Sequence, residues 1–363
     1  MARTRRSLLA GVASVGVAGC LSGGSAPEPF DAGDADARVG FAGDAMFGRS
    51  VTDHWADEEN GETGVWGDLR PRLAALDGLV LNLECCVSAR GERWPGKTYY
   101  FRAPPGFAVP ALRAGNVATV ALANNHVLDF GRRALADTRA HLSAAGVAHA
   151  GAGPTLEAAL EPAVAEVGDL TVATVSLTDR FPAYAATAVG PGTAFAALDT
   201  GSPPTRAVVH EALDRAREHD PDLLVASLHW GPNWETAPDR TQRSFARWLV
   251  DQGVDVVHGH SAHVLQGVEV HAGRPILYDA GDVVDDYLYK EGFHNKRSAV
   301  FELVVRDGRL SALRAVPVEI RDETATLARD EAAAWVRGAL RERSRPFGTT
   351  AERAGRGLRL PLG

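Results

Sequence analysis

Val117-Ala118-Thr119-Val120-Ala121-Leu122-Ala123-Asn124-Asn125-His126-Val127-Leu128-Asp129-Phe130-Gly131 decides how this chain is read. It opens as an apolar run of strand length. It ends in Asn-Asn-His, with an aspartate three residues further on. In open α/β sheets the ligand site lies just past the carboxyl ends of the strands, where such polar side chains are presented. Outward from this stretch the arrangement recurs. Asp44 follows an apolar run at 39–42, and Asn82-Leu83-Glu84 ends one at 78–83. His229 follows 223–228, and His258, His260 and His263 follow 254–257. Asp279 and Asp282 follow 275–278, and a further run lies at 170–177. Amphipathic stretches at 69–76, 134–145, 206–219 and 241–252 separate the runs. The alternation predicts an α/β fold in layers, with sheets flanked by helices. Asp307-Gly308 between runs at 299–305 and 310–320 predicts a β-hairpin near the C-terminus. A helix is expected over 328–343, followed by a loosely held, Arg-rich tail.

The 363 residues suit one large domain or two ordinary ones. A hydrophobic content of 45% with 23% charged residues is globular and argues against wholesale disorder. The formal net charge of −8 is unevenly spread. Residues 1–20 carry three arginines and no acid, and the segment from Arg329 onward has eight arginines against four acids. The body between them is acidic, which excludes a basic nucleic-acid footprint and suits a metal site. Lys97, Lys290 and Lys296 are the three lysines.

Arg5-Arg6-Ser7-Leu8-Leu9 opens an apolar stretch to Ala18, too short to span a bilayer, which needs roughly 20 residues. It reads as a secretory signal of the twin-arginine type, which exports folded proteins. Val17-Ala18-Gly19-Cys20 resembles a lipoprotein cleavage box with Cys20 as the lipidated residue. The expected organisation is a signal peptide over 1–19, a flexible tether over 20–37, a domain over 38–320, and a C-terminal helix and tail over 321–363. The protein is expected outside the cytoplasmic membrane and lipid-anchored to it. Cys85 and Cys86 read as buried apolar fill rather than redox or metal thiols.

Carboxylates, an amide oxygen and imidazoles at several strand ends suit Zn, Mn or Fe better than Ca, which prefers oxygen alone. One or two such ions are expected. A pair about 3.5–4 Å apart lowers the pKa of a water and clamps a phosphoryl oxygen, and a nearby non-ligand histidine can protonate the leaving oxygen. Taken singly, Asp44 reads as a helix cap and Asn125-His126 as a turn; it is the series that points to a metal.

Gly43-Asp44-Ala45-Met46-Phe47-Gly48-Arg49, Asn82-Leu83-Glu84, the Asn124–Gly131 run, His229-Trp230-Gly231 and Gly259-His260-Ser261-Ala262-His263-Val264 together resemble the capsule-synthesis CapA family. Its members are also called poly-γ-glutamate biosynthesis proteins, a branch of the calcineurin-like metallophosphoesterases. The resemblance covers residues 38–320 and implies a β-sandwich flanked by helices with the site at one rim. It implies Asp44, Glu84, Asn125, His229, His260 and His263 as metal ligands, with Glu84 at the bridging position. His126 would be the general acid, oriented by Asp129. Arg49 would hold an anionic group, Trp230 or Trp234 would wall the pocket, and His258 would pack behind the ligands. Met46 stands where related enzymes have a histidine ligand, which leaves one cation a ligand short. The implied substrate is an anionic polymer such as poly-γ-glutamate or a phosphorylated small molecule, cleaved or transferred at a phosphoester or acyl bond. The implied partners are membrane polymer-synthase subunits. A non-catalytic binding factor on the same scaffold and a generic phosphodiesterase are the rival readings.

Overall fold

A computed structural model describes residues 35–362; the export segment, Cys20 and most of the tether lie outside the described residues. In chain order the main strands are β1 (Ala37–Ala45), β2 (Gly78–Leu83), β3 (Val117–Ala121), β4 (Ala148–Ala150), β5 (Ala163–Val167), β6 (Leu170–Thr178), β7 (Leu223–His229), β8 (Val256–His260), β9 (Val268–His271), β10 (Arg274–Leu277), β11 (Asp282–Val284), β12 (Arg297–Arg306), β13 (Arg309–Arg321), β14 (Thr324–Leu327), β15 (Glu352–Ala354) and β16 (Gly357–Pro361). One sheet runs β15-β16-β13-β12-β1-β2-β3-β4, with β11 added beside β1 and β14 beside β13. The other runs β9-β10-β8-β7-β6-β5. Both are mixed. β1 to β4 and β6-β7-β8-β10 are parallel, while β12, β13 and β16 pair antiparallel.

Side-chain alternation along the strands sets the layers. Val39, Phe41, Val80, Val172, Val225, Val256, Phe301 and Leu313 meet between the sheets. On the outer face of the second sheet, Leu224, Ala226 and Leu228 pack against Leu213 and Phe245 of helices Pro203–Arg217 and Arg240–Asp251. On the outer face of the first, Leu79, Leu81 and Val120 pack against Phe107, Leu112 and Leu135 of helices Pro105–Ala114 and Gly131–Ala145. Each such leucine or phenylalanine contributes about 1.5–3 kcal/mol by leaving water. The result is the expected α/β sandwich, with helices outside both sheets. The helix starts are chemically marked. Asp239 and Gln242 form a capping box ahead of Arg240–Asp251, and the Ser202 hydroxyl accepts from Thr205 N–H ahead of Pro203–Arg217.

The C-terminal hairpin is present as β12–β13. Asp307 and Gly308 both have positive φ, 51° and 66°, as a primed turn requires. Cys85 and Cys86 are buried free thiols, as expected of apolar fill. Three expectations need correction. The helix foreseen over 69–76 is only a short turn at Arg70–Leu73 behind a 3-10 turn. Helix Pro105–Ala114 was not foreseen, because its two prolines disguise it. The loosely held tail is instead β16, paired to β13, with Leu358, Leu360 and Leu362 buried in the layer between the sheets. Their alternation with Arg359 and Pro361 is a strand signal that the arginine count obscured.

One irregularity in β1 places the site. Phe41 pairs with Val80, but the next pair is Asp44 with Asn82, so β1 uses three residues where β2 uses two. Without the extra residue Gly43 would face the sheet gap; with it, Asp44 does. Gly43 lies against the Gly281 backbone, and a Cβ there would overlap the Gly281 carbonyl oxygen.

Candidate metal centre

The bulge aims Asp44 into the gap between the sheets, and Asn82 and Glu84 line up behind Val80 on the same side of β2. His229 ends β7 and His260 ends β8, in register with each other. The first sheet therefore supplies carboxylates and the second imidazoles. Asp44, Glu84, His229, His260 and His263 are all buried. Two groups emerge that can hold a cation: Asp44, His229 and His260, and Asp44, Glu84 and His263. The shared residue is Asp44, rather than Glu84, which was expected to bridge. Met46 does not join them; its side chain packs in the outer helix layer.

Hydrogen bonding fixes the protons of the first group. His258 donates from Nε2 to the Ala42 carbonyl at 2.8 Å, since a carbonyl only accepts. Its Nδ1 then accepts from the Ser227 hydroxyl at 3.1 Å. Ser227 Oγ in turn accepts from His260 Nε2 at 3.0 Å. This leaves His260 Nδ1 bare, 3.5 Å from Asp44 Oδ1. His229 donates from Nε2 to Asn125 Oδ1 at 2.9 Å, which leaves its Nδ1 bare as well, 3.0 Å from His260 Nδ1 and 3.8 Å from Asp44 Oδ1. Burial pushes both imidazoles well below their ordinary pKa, so they are neutral. Two bare imidazole nitrogens thus face each other beside Asp44 Oδ1, an arrangement that a cation relieves; the proton donor at this point is Asn82 Nδ2, 2.6 Å from Asp44 Oδ1 and 3.4 Å from His229 Nδ1. His258 has the supporting role expected of it.

The second group is ionic. His263 Nδ1 lies 2.9 Å from Asp282 Oδ1, 3.4 Å from Asp44 Oδ2 and 3.9 Å from Glu84 Oε2. Burial works against its charge, but the carboxylates, Asp282 foremost, overcome it and hold His263 well above its ordinary range. Burial, reinforced by Asp44, raises Glu84 to about 8. Burial also opposes the Asp44 charge, yet the His263 hydrogen bond and the field of His260 keep it low. Asp44 further accepts from Asn82 Nδ2 at 2.6 Å and Ser261 N–H at 3.1 Å. Glu84 Oε1 and Asp282 Oδ2 are buried without a hydrogen-bond partner. Orphaned carboxylate oxygens beside an imidazole are what a cation site leaves when only protein atoms are counted. The residues present fit a divalent ion.

Beside the cluster, Asp129 Oδ2 accepts from His126 Nδ1 at 2.6 Å and from Phe101 N–H at 2.7 Å; Oδ1 accepts from Tyr184 OH at 2.9 Å. Lys97 is nearly buried and donates to Asp129 and to the Asn125 carbonyl. His126 therefore carries its proton on Nδ1, with Nε2 bare. Burial lowers its pKa to about 4 against the pull of Asp129. Phe101 stacks on the His126 ring at 3.8 Å and lies 5.3 Å from the Arg49 guanidinium. Arg49 pairs with Asp286 at 3.1 Å and stands partly exposed at this edge.

Trp230 corrects the expected pocket wall. It is fully buried against Tyr278 and Phe245 in the outer layer and donates to the Tyr278 carbonyl. Trp234 is the tryptophan at the site, 5.4 Å from the His263 ring. Four further residues sit here without having been assigned: Asn82, Lys97, Asp282 and Tyr287, whose hydroxyl donates to Glu84 Oε2 at 2.8 Å. Asp282 carries the same strand-end signal as the others. Tyr287 and Lys97 come from irregular segments and carry no such signal.

Comparison with known proteins identifies the family. Residues 38–287 match the family described as bacterial capsule synthesis protein PGA_cap. A probable polyglutamine synthesis accessory protein of Mycobacterium tuberculosis is 36% identical over 297 residues, which is 78% of this chain and 77% of that protein. The capsule biosynthesis protein CapA of Bacillus anthracis is 30% identical over 78% of this chain and 67% of its own. The PGA biosynthesis protein CapA of Bacillus subtilis is 27% identical over 78% and 72%. With its buried Asp, Glu and His groups lying inside the matched span, this chain belongs to the bacterial capsule synthesis family PGA_cap.

Proposed function

We propose that this chain is an extracytoplasmic accessory protein in the synthesis or retention of an anionic capsule polymer such as poly-γ-glutamate, working beside membrane synthase subunits, with a hydrolase or transferase site that binds one or two Zn, Mn or Fe ions. The observation that carries the metal reading is the first group: Asp44 Oδ1, His229 Nδ1 and His260 Nδ1 converge, and the two facing imidazole nitrogens have no proton between them. Glu84, His263 and Asn125 would complete the ligand set. A divalent cation bound there makes a water nucleophilic at neutral pH and draws charge from a phosphoryl or acyl centre.

The chain's own residues do the rest. Arg49 offers a planar donor pair to a carboxylate or phosphate at the Phe101 edge. Trp234 supplies an apolar wall beside His263. His126, neutral with Nε2 bare, takes up a proton there and returns it to the leaving oxygen; Asp129 holds the ring's orientation through Nδ1.

The test uses the full chain. It should hold stoichiometric metal after loading. His126→Ala should keep the metal and lose turnover of a phosphodiester or a γ-glutamyl peptide, offered side by side. A chain that takes up no metal under any loading condition sinks the catalytic reading. A second reading, a non-catalytic binding factor, draws support from Met46, which stands where a histidine ligand is expected yet packs into the helix layer. On that reading His126→Ala leaves capsule production in cells unaltered. Lipid anchorage through Cys20 after twin-arginine export rests on residues 1–20; Cys20→Ser should release the protein from the membrane fraction. Among the described residues no helix is long and apolar enough to cross a membrane.

A further inference from the structure

Among the described residues, four arginines of the C-terminal segment lie close together without a carboxylate partner, whereas many others of the protein are paired. Arg215, Arg217, Arg247, Arg274, Arg321 and Arg329 each lie within ion-pair distance of a carboxylate. Arg337 and Arg341 sit one helical turn apart on helix Asp330–Ser344, so their side chains share a face. Arg353 and Arg356 sit on the β15–β16 hairpin, which packs beside that face: Arg337 Nη1 donates to the Arg356 carbonyl at 2.6 Å, and Arg341 Nε to the Ala351 carbonyl at 3.2 Å. Among the described residues none of these four has a carboxylate within ion-pair distance. The acids nearest in sequence are engaged elsewhere, Glu352 with Arg359 at 3.7 Å and Glu342 near Arg343. The crowding is felt at Arg337, whose pKa is lowered by partial burial and then by Arg353 and Arg341.

Like charges one turn apart destabilise a helix, so bringing these arginines together needs a reason. The negative end of the helix dipole accounts for Arg341 in the last turn, and protection of a free sheet edge accounts for Arg353 on β15. Neither accounts for four arginines gathered on this helix and on the hairpin packed beside it. We propose that Arg337, Arg341, Arg353 and Arg356 form a track that binds the carboxylates of an extended polyanion, of the glutamate-polymer class. The naming of that polymer rests on the function proposed above. Guanidinium suits carboxylate because its paired N–H groups match the two oxygens. A membrane surface fits less well: among the described residues the exposed large apolar side chains are Tyr99, Val189, Leu288 and Tyr289, and none of them borders the track in this segment.

The full chain should bind fluorescent poly-γ-glutamate in a salt-sensitive way. Arg341→Glu with Arg353→Glu should weaken that binding at least tenfold while leaving metal uptake and melting temperature unchanged. The matching pair of lysine substitutions should retain most of the affinity. Because charge reversal of the track spares metal uptake, loss of the metal site and loss of the track are separable. The proposal is overturned if the wild-type chain does not bind the polymer, if charge reversal leaves affinity unchanged, or if phosphatidylglycerol vesicles bind through these arginines and the polymer does not.

Discussion

The two halves of the metal centre are prepared in opposite ways. Around His260 and His229 a relay of neutral hydrogen bonds, from the Ala42 carbonyl through His258 and Ser227, parks every proton on the far side of the rings. Around His263 three carboxylates gather, and a proton on the imidazole balances them. The first half is preorganised for a cation by tautomer, the second by charge. Asp44 belongs to both, so the halves are coupled through one carboxylate rather than through Glu84.

The most severe test of that coupling is Asp44→Asn. It should abolish retention of metal at both halves, read as metal content after desalting; retention of half the metal would show that the groups do not share Asp44. Next, His260→Ala and Glu84→Gln should each remove one half. If two ions bind, each variant keeps about one equivalent. Ser227→Ala probes the relay alone. It replaces no proposed ligand, yet frees the His260 tautomer, and metal affinity should fall about 10–100-fold with the fold intact. The smallest effect concerns pH. In the metal-free chain His263 and Glu84 both have raised folded pKa values. The stability they lend is full below their unfolded pKa values and is lost as pH climbs through the folded ones. Calorimetry of the metal-free chain should show the Glu84 contribution to melting temperature declining as pH rises from 4.5 to about 8, and that of His263 declining from 6.5 upward. Loading with metal should flatten the decline, because the cation replaces those protons.

The strand-end residues were legible because an apolar run that stops at Asp, Glu or His announces both a strand and what it carries. Asp44, Glu84, Asn125, His229, His260 and His263 all stand at such strand ends; it was the family resemblance that singled these six out as ligands, and the structure brings them near one another. The role of Asp44 as the common member was not legible, since it depends on a backbone bulge that leaves no mark beyond Gly43. Asn82 hides inside a strand pattern. Lys97 and Tyr287 reach the site from irregular segments, whose course depends on tertiary packing. Trp230 and Trp234 lie only four residues apart, and no periodicity separates the one that packs from the one that borders the site. In the layers, the apolar runs located the long strands within about three residues, but the shorter strands β4, β5, β9, β11, β14, β15 and β16 were missed.

The division of ligands between the sheets has a further consequence. Carboxylates from one sheet and imidazoles from the other meet only when the sandwich has closed, so an ion held there is a rivet through the protein's thickness. Pulling the sheets apart then requires giving up the ion, and its affinity adds to the resistance against opening. A chain exported already folded would carry its rivet with it. The choice of metal would then be made by the compartment where the sandwich closes, not by the one where the protein works.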